Sequence, residues 1–270
     1  MIWDSRTVSI YLYGISEEIM IGIFDSGIGG LSVFREIKKL LPEQDYAYYS
    51  DNAHCPYGEK SKEYISSRAR AITDFLLAEG AEVIVVACNT ATAAAISTLR
   101  AEYPHIPFIG MEPAIKPAAK ITRSGIVGVL ATAGTLKADK YLDTRGKWSE
   151  SIRVAEHVGQ GFVELVEAGN TTGQEAEETV QKSLKPLLDE GADVIVLGCT
   201  HYPFLSETII KVASELQPGK EIQVIDPAPA VAKHIVEVMQ EKGIPQKGSS
   251  TVKLFSSGDD DCLRKTYENL

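Results

Sequence analysis

Residues Glu79 to Cys88 read EGAEVIVVAC and residues Glu190 to Cys199 read EGADVIVLGC; seven of the ten positions agree, and both stretches end on a cysteine, 111 residues apart. A buried strand accounts for the shared VIV but requires neither the shared EGA nor the cysteine. Each cysteine follows an apolar run and precedes a stretch with helical patterning, so each belongs at the carboxyl end of a strand, where open α/β sheets bind their ligands. A free thiol has a pKa near ~8.5, and a helix N-terminus or a nearby cation can lower it enough to supply thiolate at neutral pH. Asn89-Thr90 and Thr200-His201, directly after the two cysteines, offer N-cap oxygens and polar donors. Two such thiols flanking one small ligand could take a proton from one face of a carbon and return one to the other. Inversion at a carbon requires that pairing of base and acid.

Other residues could hold the ligand. Asp25-Ser26-Gly27-Ile28-Gly29-Gly30 follows a strand and forms a glycine-rich turn whose N–H groups could bind an anion such as a carboxylate. Asp25 and Asp51 both end strand-like segments, which places two carboxylates on one rim, able to meet an ammonium or orient a base. His201, two residues beyond Cys199, could tune that thiol or protonate its partner. Cys55 and Cys262 lack a strand-to-helix setting, and structural or incidental roles are expected for both. His54, His201 and the cysteines show no closely spaced ligand pair, so no metal site is expected. His105, His157 and His234 read as surface or capping residues, and Asp259 to Asp261 as a solvated turn. No complete GxGxxG and no GxxxxGK[ST] stands at a strand-to-helix turn, which argues against hydride and phosphoryl transfer.

These candidates need a frame. Apolar runs of strand length occur at Ile21 to Phe24, Tyr46 to Ser50, Val83 to Ala87, Phe108 to Met111, Ile126 to Leu130, Val194 to Leu197 and Ile222 to Ile225. Amphipathic helical patterns occupy Lys62 to Ala78, Thr92 to Glu102, Glu175 to Leu188, Phe204 to Leu216 and Ala230 to Lys242. The alternation predicts an α/β fold with mostly parallel sheets. A weaker second repeat sets Ile21 to Gly27 against Val127 to Ala133. Together the repeats predict two pseudo-symmetric α/β domains with the site in the cleft between them. Glu112-Pro113 and Asp226-Pro227 are the best punctuation, giving residues 20–112 with 226–270 as one domain and 113–225 as the other. Residues 1–19 are expected to be an extension or a misassigned start, because Asp4, Arg6, Glu17 and Glu18 spoil a signal peptide.

Composition narrows the setting. With 270 residues, 44% hydrophobic and 24% charged, the chain matches a globular protein, and no apolar run approaches the ~20 residues that cross a bilayer. A net charge of −10 without any long basic stretch disfavours nucleic acid as a partner. Four widely spaced cysteines without a CxxC pair fit a reducing, cytoplasmic compartment.

The segments GIFDSGIGGLSV from Gly22, SDNAHCPYG from Ser50, ACNTATA from Ala87 and GCTHYPFL from Gly198 occur in this order. With them the chain resembles the glutamate racemases of the aspartate/glutamate racemase superfamily, over roughly Ile21 to Lys242. The resemblance implies interconversion of L- and D-glutamate without pyridoxal phosphate, other cofactor or metal, supplying D-glutamate for peptidoglycan and hence cell shape, in a homodimer. It implies that Cys88 deprotonates D-glutamate and Cys199 L-glutamate, with Asp25, His201, Asp51 and Glu167 assisting. It further implies that Asp25, Ser26, Tyr57, Gly58, Asn89, Thr90, Thr132, Thr200 and His201 bind the substrate. Two segments depart from the pattern: AEHVGQGFVE precedes LVEAG, and DPAPAVA begins at Asp226, which points to a local turn change outside the site. Rival readings are a racemase of aspartate or a hydantoin, a one-thiol decarboxylase of the superfamily, and a non-catalytic amino-acid-binding protein. The paired cysteines argue against the decarboxylase.

Overall fold

The computed structural model describes residues 19–148, 150–246 and 248–270. Of the segment 1–19, only Ile19 falls among them, buried just ahead of the first strand; the expected extension otherwise lies outside the described residues. The first half runs β1 (Met20–Asp25), α1 (Leu31–Leu40), β2 (Asp45–Ser50), α2 (Lys62–Ala78), β3 (Ala81–Val86), α3 (Asn89–Glu102) and β4 (Phe108–Gly110). After α4 (Ile115–Ile121) come β5 (Ile126–Ala131), the short α5 (Ala133–Leu136), α6 (Asp139–Gly146), β6 (Arg153–Val158), α7 (Phe162–Glu167), α8 (Gln174–Asp189), β7 (Val194–Gly198), α9 (Ser206–Leu216) and β8 (Gln223–Ile225). The chain ends with α10 (Ala228–Glu241), β9 (Val252–Ser256) and α11 (Asp261–Glu268). No described helix is long and apolar enough to cross a membrane.

Two parallel sheets result, ordered β4-β3-β1-β2-β9 and β8-β7-β5-β6. Laid side by side, β4, β3, β1 and β2 correspond to β8, β7, β5 and β6, so the sequence repeat is a repeat of topology. The register agrees: Ile21 pairs with Val83 and Val127 with Val194, one residue before Gly22 faces Ile84 and Gly128 faces Ile195. The packing repeats as well. A Cβ on Gly22 would meet Ala81, Ile84 and Leu76, and one on Gly128 would meet Ala192, Ile195 and Leu187, the same three places in each half. Only glycine lets the helix before each cysteine-bearing strand approach its neighbour this closely. β3 and β7 are buried almost throughout, which is why their sequences are near-continuous runs of Val and Ile. Each such side chain contributes about 1.5–3 kcal/mol on burial.

β9 has no counterpart in the second sheet; it pairs with β2, while α10 packs on α1, so the C-terminal segment returns to the first half. β6 and β9 were not expected from the sequence. Both are edge strands, partly solvated, and β6 (RVAEHV) carries Arg, Glu and His on a strand of mixed exposure. Such strands lack the apolar run that marks a central one.

Candidate active site

Cys88 and Cys199 stand at equivalent places beyond β3 and β7, 5% and 7% exposed. Between them lies the turn after β1. Ser26 is 3.7 Å from the Cys88 sulfur. Its neighbour Asp25 is fully buried and accepts hydrogen bonds from the Gly27 N–H and from the Thr200 hydroxyl, both at 3.0 Å. Thr200 adjoins Cys199, so one carboxylate and one turn link the surroundings of both thiols. The Ser32 hydroxyl donates to the Thr200 carbonyl at 2.9 Å, pinning α1 to the same loop.

The helix cap at Cys88 is the sulfur itself, which accepts from the Ala91 N–H at 3.4 Å; the expected N-cap oxygens of Asn89-Thr90 do not serve there. That bond and the nearby Ser26 favour thiolate, but burial, reinforced by the negative charge of Asp25, outweighs them and pushes the Cys88 thiol up. The expectation of a thiol lowered by the helix end is therefore reversed at Cys88. Burial likewise raises Asp25, against the opposing charge of His201 and its two hydrogen bonds.

Around Cys199 the polar network runs through His201. Its Nδ1 is 3.8 Å from the Cys199 sulfur, and its Nε2 is 2.7 Å from Glu167 Oε1. The same carboxylate oxygen accepts from the Ile28 N–H at 2.9 Å. Burial works against a charged imidazole, yet the bonds to Cys199, Cys55 and Glu167 prevail and raise His201 well above its ordinary value. Glu167 ends α7, in the other half from Ile28, and so ties the glycine-rich turn to the histidine. The ring has little room. A Cβ on Gly29 would lie 2.3 Å from His201 Nδ1. Gly29→Ala is expected to displace the imidazole and, if His201 takes part in the chemistry, to reduce kcat about 10–100-fold, since a shift near 1 Å at a reacting group costs about that much. Steady-state kinetics with an unchanged melting temperature would check it.

Asp51 lies on the predicted rim, but both its oxygens face Arg68, at 2.7 and 2.9 Å, and one also accepts from the Tyr57 hydroxyl at 2.5 Å. Although burial opposes ionisation, the bonds from Arg68 and Tyr57 hold this carboxyl below its usual range. A lowered carboxyl stabilises the fold above its unfolded pKa of ~3.9, and the contribution is lost as pH falls through the folded value. Arg68→Met should destabilise by about 2 kcal/mol at neutral pH, less than a fully buried pair because Arg68 is 25% exposed. The deficit should shrink in acid, where the stranded carboxylate is protonated; urea unfolding at the two pH values measures it.

At the seam between the sheets, the Thr90 and Thr132 hydroxyls are 3.0 Å apart, and Thr135 lies within 3.0 Å of Thr132. Gly58 abuts the same threonine: a Cβ there would come 3.0 Å from the Thr132 Cβ. A cavity of about 200 Å³ lined by Lys60, Lys62, Thr90, Gly134 and Lys137 opens beside this seam, but neither thiol lines it. Asn89 is buried, and its side-chain N–H₂ has no hydrogen-bond partner. A bound acceptor would satisfy it.

The structure adds two residues that sequence reasoning left aside. Cys55 Sγ is 3.8 Å from Glu167 Oε1 and within 4.8 Å of a His201 ring nitrogen, while the Cys262 thiol donates to the Glu167 carbonyl at 3.2 Å. Their surroundings in sequence carry no strand-to-helix signal; only the place of Cys55 between Asp51 and Tyr57 hinted at the site.

A parallel α/β pair with thiols at equivalent strand ends defines a class, and comparison with known proteins agrees. Residues 21–235 match the model of the Asp/Glu/Hydantoin racemase family, and the chain belongs to that family. Within it, the chain is 46% identical over 239 residues to the glutamate racemase of Stutzerimonas stutzeri (strain A1501), covering 88% of this chain and 89% of that protein. Among solved structures it is similar to glutamate racemase isoform RacE1 of Bacillus anthracis, with a TM-score of 0.79, 33% identity and 94% of each chain covered. It is equally similar in fold to the Francisella tularensis glutamate racemase in complex with D-glutamate, with a TM-score of 0.79, 28% identity, and 94% and 93% of the two chains covered.

Proposed function

We infer that this chain is a racemase that interconverts L- and D-glutamate by proton transfer between two thiols. The observation that carries this reading is the equivalent placement of Cys88 and Cys199 at matching ends of repeated strands, on either side of the Asp25 to Gly30 turn. Glutamate as substrate is supported by the names of the relatives and by the D-glutamate held by the Francisella enzyme.

In this reading Cys88, as thiolate, removes the α-proton of D-glutamate while the Cys199 thiol delivers one to the opposite face; the reverse direction exchanges the roles. Asp25 and Ser26 stand beside Cys88, and His201, held by Glu167, stands beside Cys199 as a relay for its proton. The Asn89 amide, with Ser26, Thr90, Thr132, Thr200 and the backbone of Gly58, would receive the substrate's polar groups. Asp51 acts through Tyr57, which it holds in place. The buried thiols require the halves, 20–112 with 226–270 and 113–225, to part for entry and close for chemistry. Closure excludes water, which strengthens each electrostatic contact around a proton that no electron sink acidifies. A homodimer in the cytoplasm supplying D-glutamate for peptidoglycan is the setting this reading carries.

Circular dichroism of L- and of D-glutamate solutions, incubated with the protein and no added cofactor, tests the reading. The optical signal should decay to zero from both sides. Persistence of both signals, or decay with aspartate alone, would overturn it.

A further inference from the structure

Sequence spacing argues against a metal site, because the chain carries no ligand spacing of the kind that marks zinc-binding motifs. The fold nevertheless gathers three donors from distant segments. Cys55 Sγ comes from the loop after β2, Glu167 Oε1 from the end of α7 and a His201 nitrogen from the loop after β7, and the three atoms lie within 4.8 Å of one another. We propose that Cys55, Glu167 and His201 form an inhibitory site for a thiophilic divalent cation of the zinc type.

The donor set is chemically apt. Thiolate, imidazole and carboxylate are the ligand types zinc prefers, with bonds of roughly 2.0–2.3 Å, so tetrahedral ligand atoms stand roughly 3.3–3.7 Å apart. The present separations of 2.7 Å between His201 Nε2 and Glu167 Oε1 and 3.8 Å between Cys55 Sγ and the same oxygen bracket that range, and the third pair lies within 4.8 Å. Supporting bonds are already present. The Ile28 N–H holds Glu167 Oε1, and Cys199 lies against His201 Nδ1, leaving Nε2 as the ligating nitrogen. Three protein ligands leave a fourth position for water. Binding displaces the Cys55 thiol proton and any proton on His201 Nε2 to solvent, and no electrons are transferred. Ion binding stands apart from the racemase reading. The inhibition rests on it, because a cation on Nε2 removes His201 from the relay beside Cys199.

Cobalt(II) is a suitable spectroscopic probe, because a thiolate ligand produces a near-ultraviolet charge-transfer band. Titration of the full chain with CoCl₂ should give that band at one ion per chain. Cys55→Ser should abolish it, Glu167→Gln should weaken binding at least tenfold, and Cys88→Ser, Cys199→Ser and Cys262→Ser should retain it. ZnCl₂ should suppress racemisation, reversibly on chelation. Relative to its own metal-free rate, Cys55→Ser should need at least tenfold more zinc for half-inhibition. The proposal is overturned if the wild type shows no band, if the band survives Cys55→Ser, or if it vanishes with Cys88 or Cys199 instead. Thermal melts of each variant separate loss of a ligand from loss of the fold, and Glu167→Gln provides a second reading should Cys55→Ser unfold.

Discussion

Cys88→Ser and Cys199→Ser are each expected to lower racemisation at least 10³-fold, because a serine hydroxyl neither gives up nor accepts an α-proton with the ease of a thiol at its working pH. The two losses should look alike by circular dichroism and differ by isotope exchange. On the proposed two-thiol mechanism, with Cys199 replaced, Cys88 still reaches the α-proton of the D-isomer and can return a solvent deuteron to the same face. Deuterium should therefore enter D-glutamate without inversion, and L-glutamate should exchange far more slowly. With Cys88 replaced, the preference should reverse. Equal exchange of both isomers in either variant would contradict the assignment of faces, and full activity in both would end the two-thiol mechanism.

The enantiomers have equal free energy in water, so any substitution must change kcat/KM by the same factor in both directions. Because that equality holds at every pH, the kcat/KM profiles of the two directions must also coincide. Burial and the Asp25 charge hold the Cys88 proton on to higher pH than an ordinary thiol keeps it. Loss of the Cys88 proton should therefore cause no alkaline fall at the ~8.5 of an ordinary thiol.

His201→Asn is expected to cost about 10²-fold in kcat/KM, the scale of one general acid or base, with little change in the affinity for glutamate. The imidazole spans Cys199 and Glu167, so its loss removes the proposed relay from the sulfur and leaves the Glu167 carboxylate, among the described residues, with the Ile28 N–H and Cys55 as neighbours. Glu167→Gln should be milder, about tenfold, because an amide oxygen still accepts from Ile28 and His201 but carries no charge. A positioning role predicts that ordering. If Glu167→Gln proved as damaging as His201→Asn, the carboxylate itself would belong to the proton path. Isotope exchange divides the effect further: deuterium entry into L-glutamate, which the proposed mechanism assigns to Cys199, should suffer more than entry into D-glutamate.

Much of this protein is written in local chemistry. The duplicated EGA-to-cysteine segment announces two equivalent strand ends, and the fold repeats them down to the glycines that admit Leu76 and Leu187. Central strands are legible because burial on both faces demands unbroken apolar runs, and the glycine-rich turn because close backbone approach demands glycine. What depends on distances across the fold was not legible. Glu167 meets the Ile28 N–H across 139 residues, Asp51 turns to Arg68 instead of the open rim, and Cys55 arrives beside His201 from another loop. Nor could residue type reveal that burial overrides the helix cap at Cys88. Periodicity and residue type record which element a side chain belongs to and which face it presents. Hydrogen-bond partners and desolvation arise only when separate elements are packed together, and in this chain they set which acid lies beside which thiol.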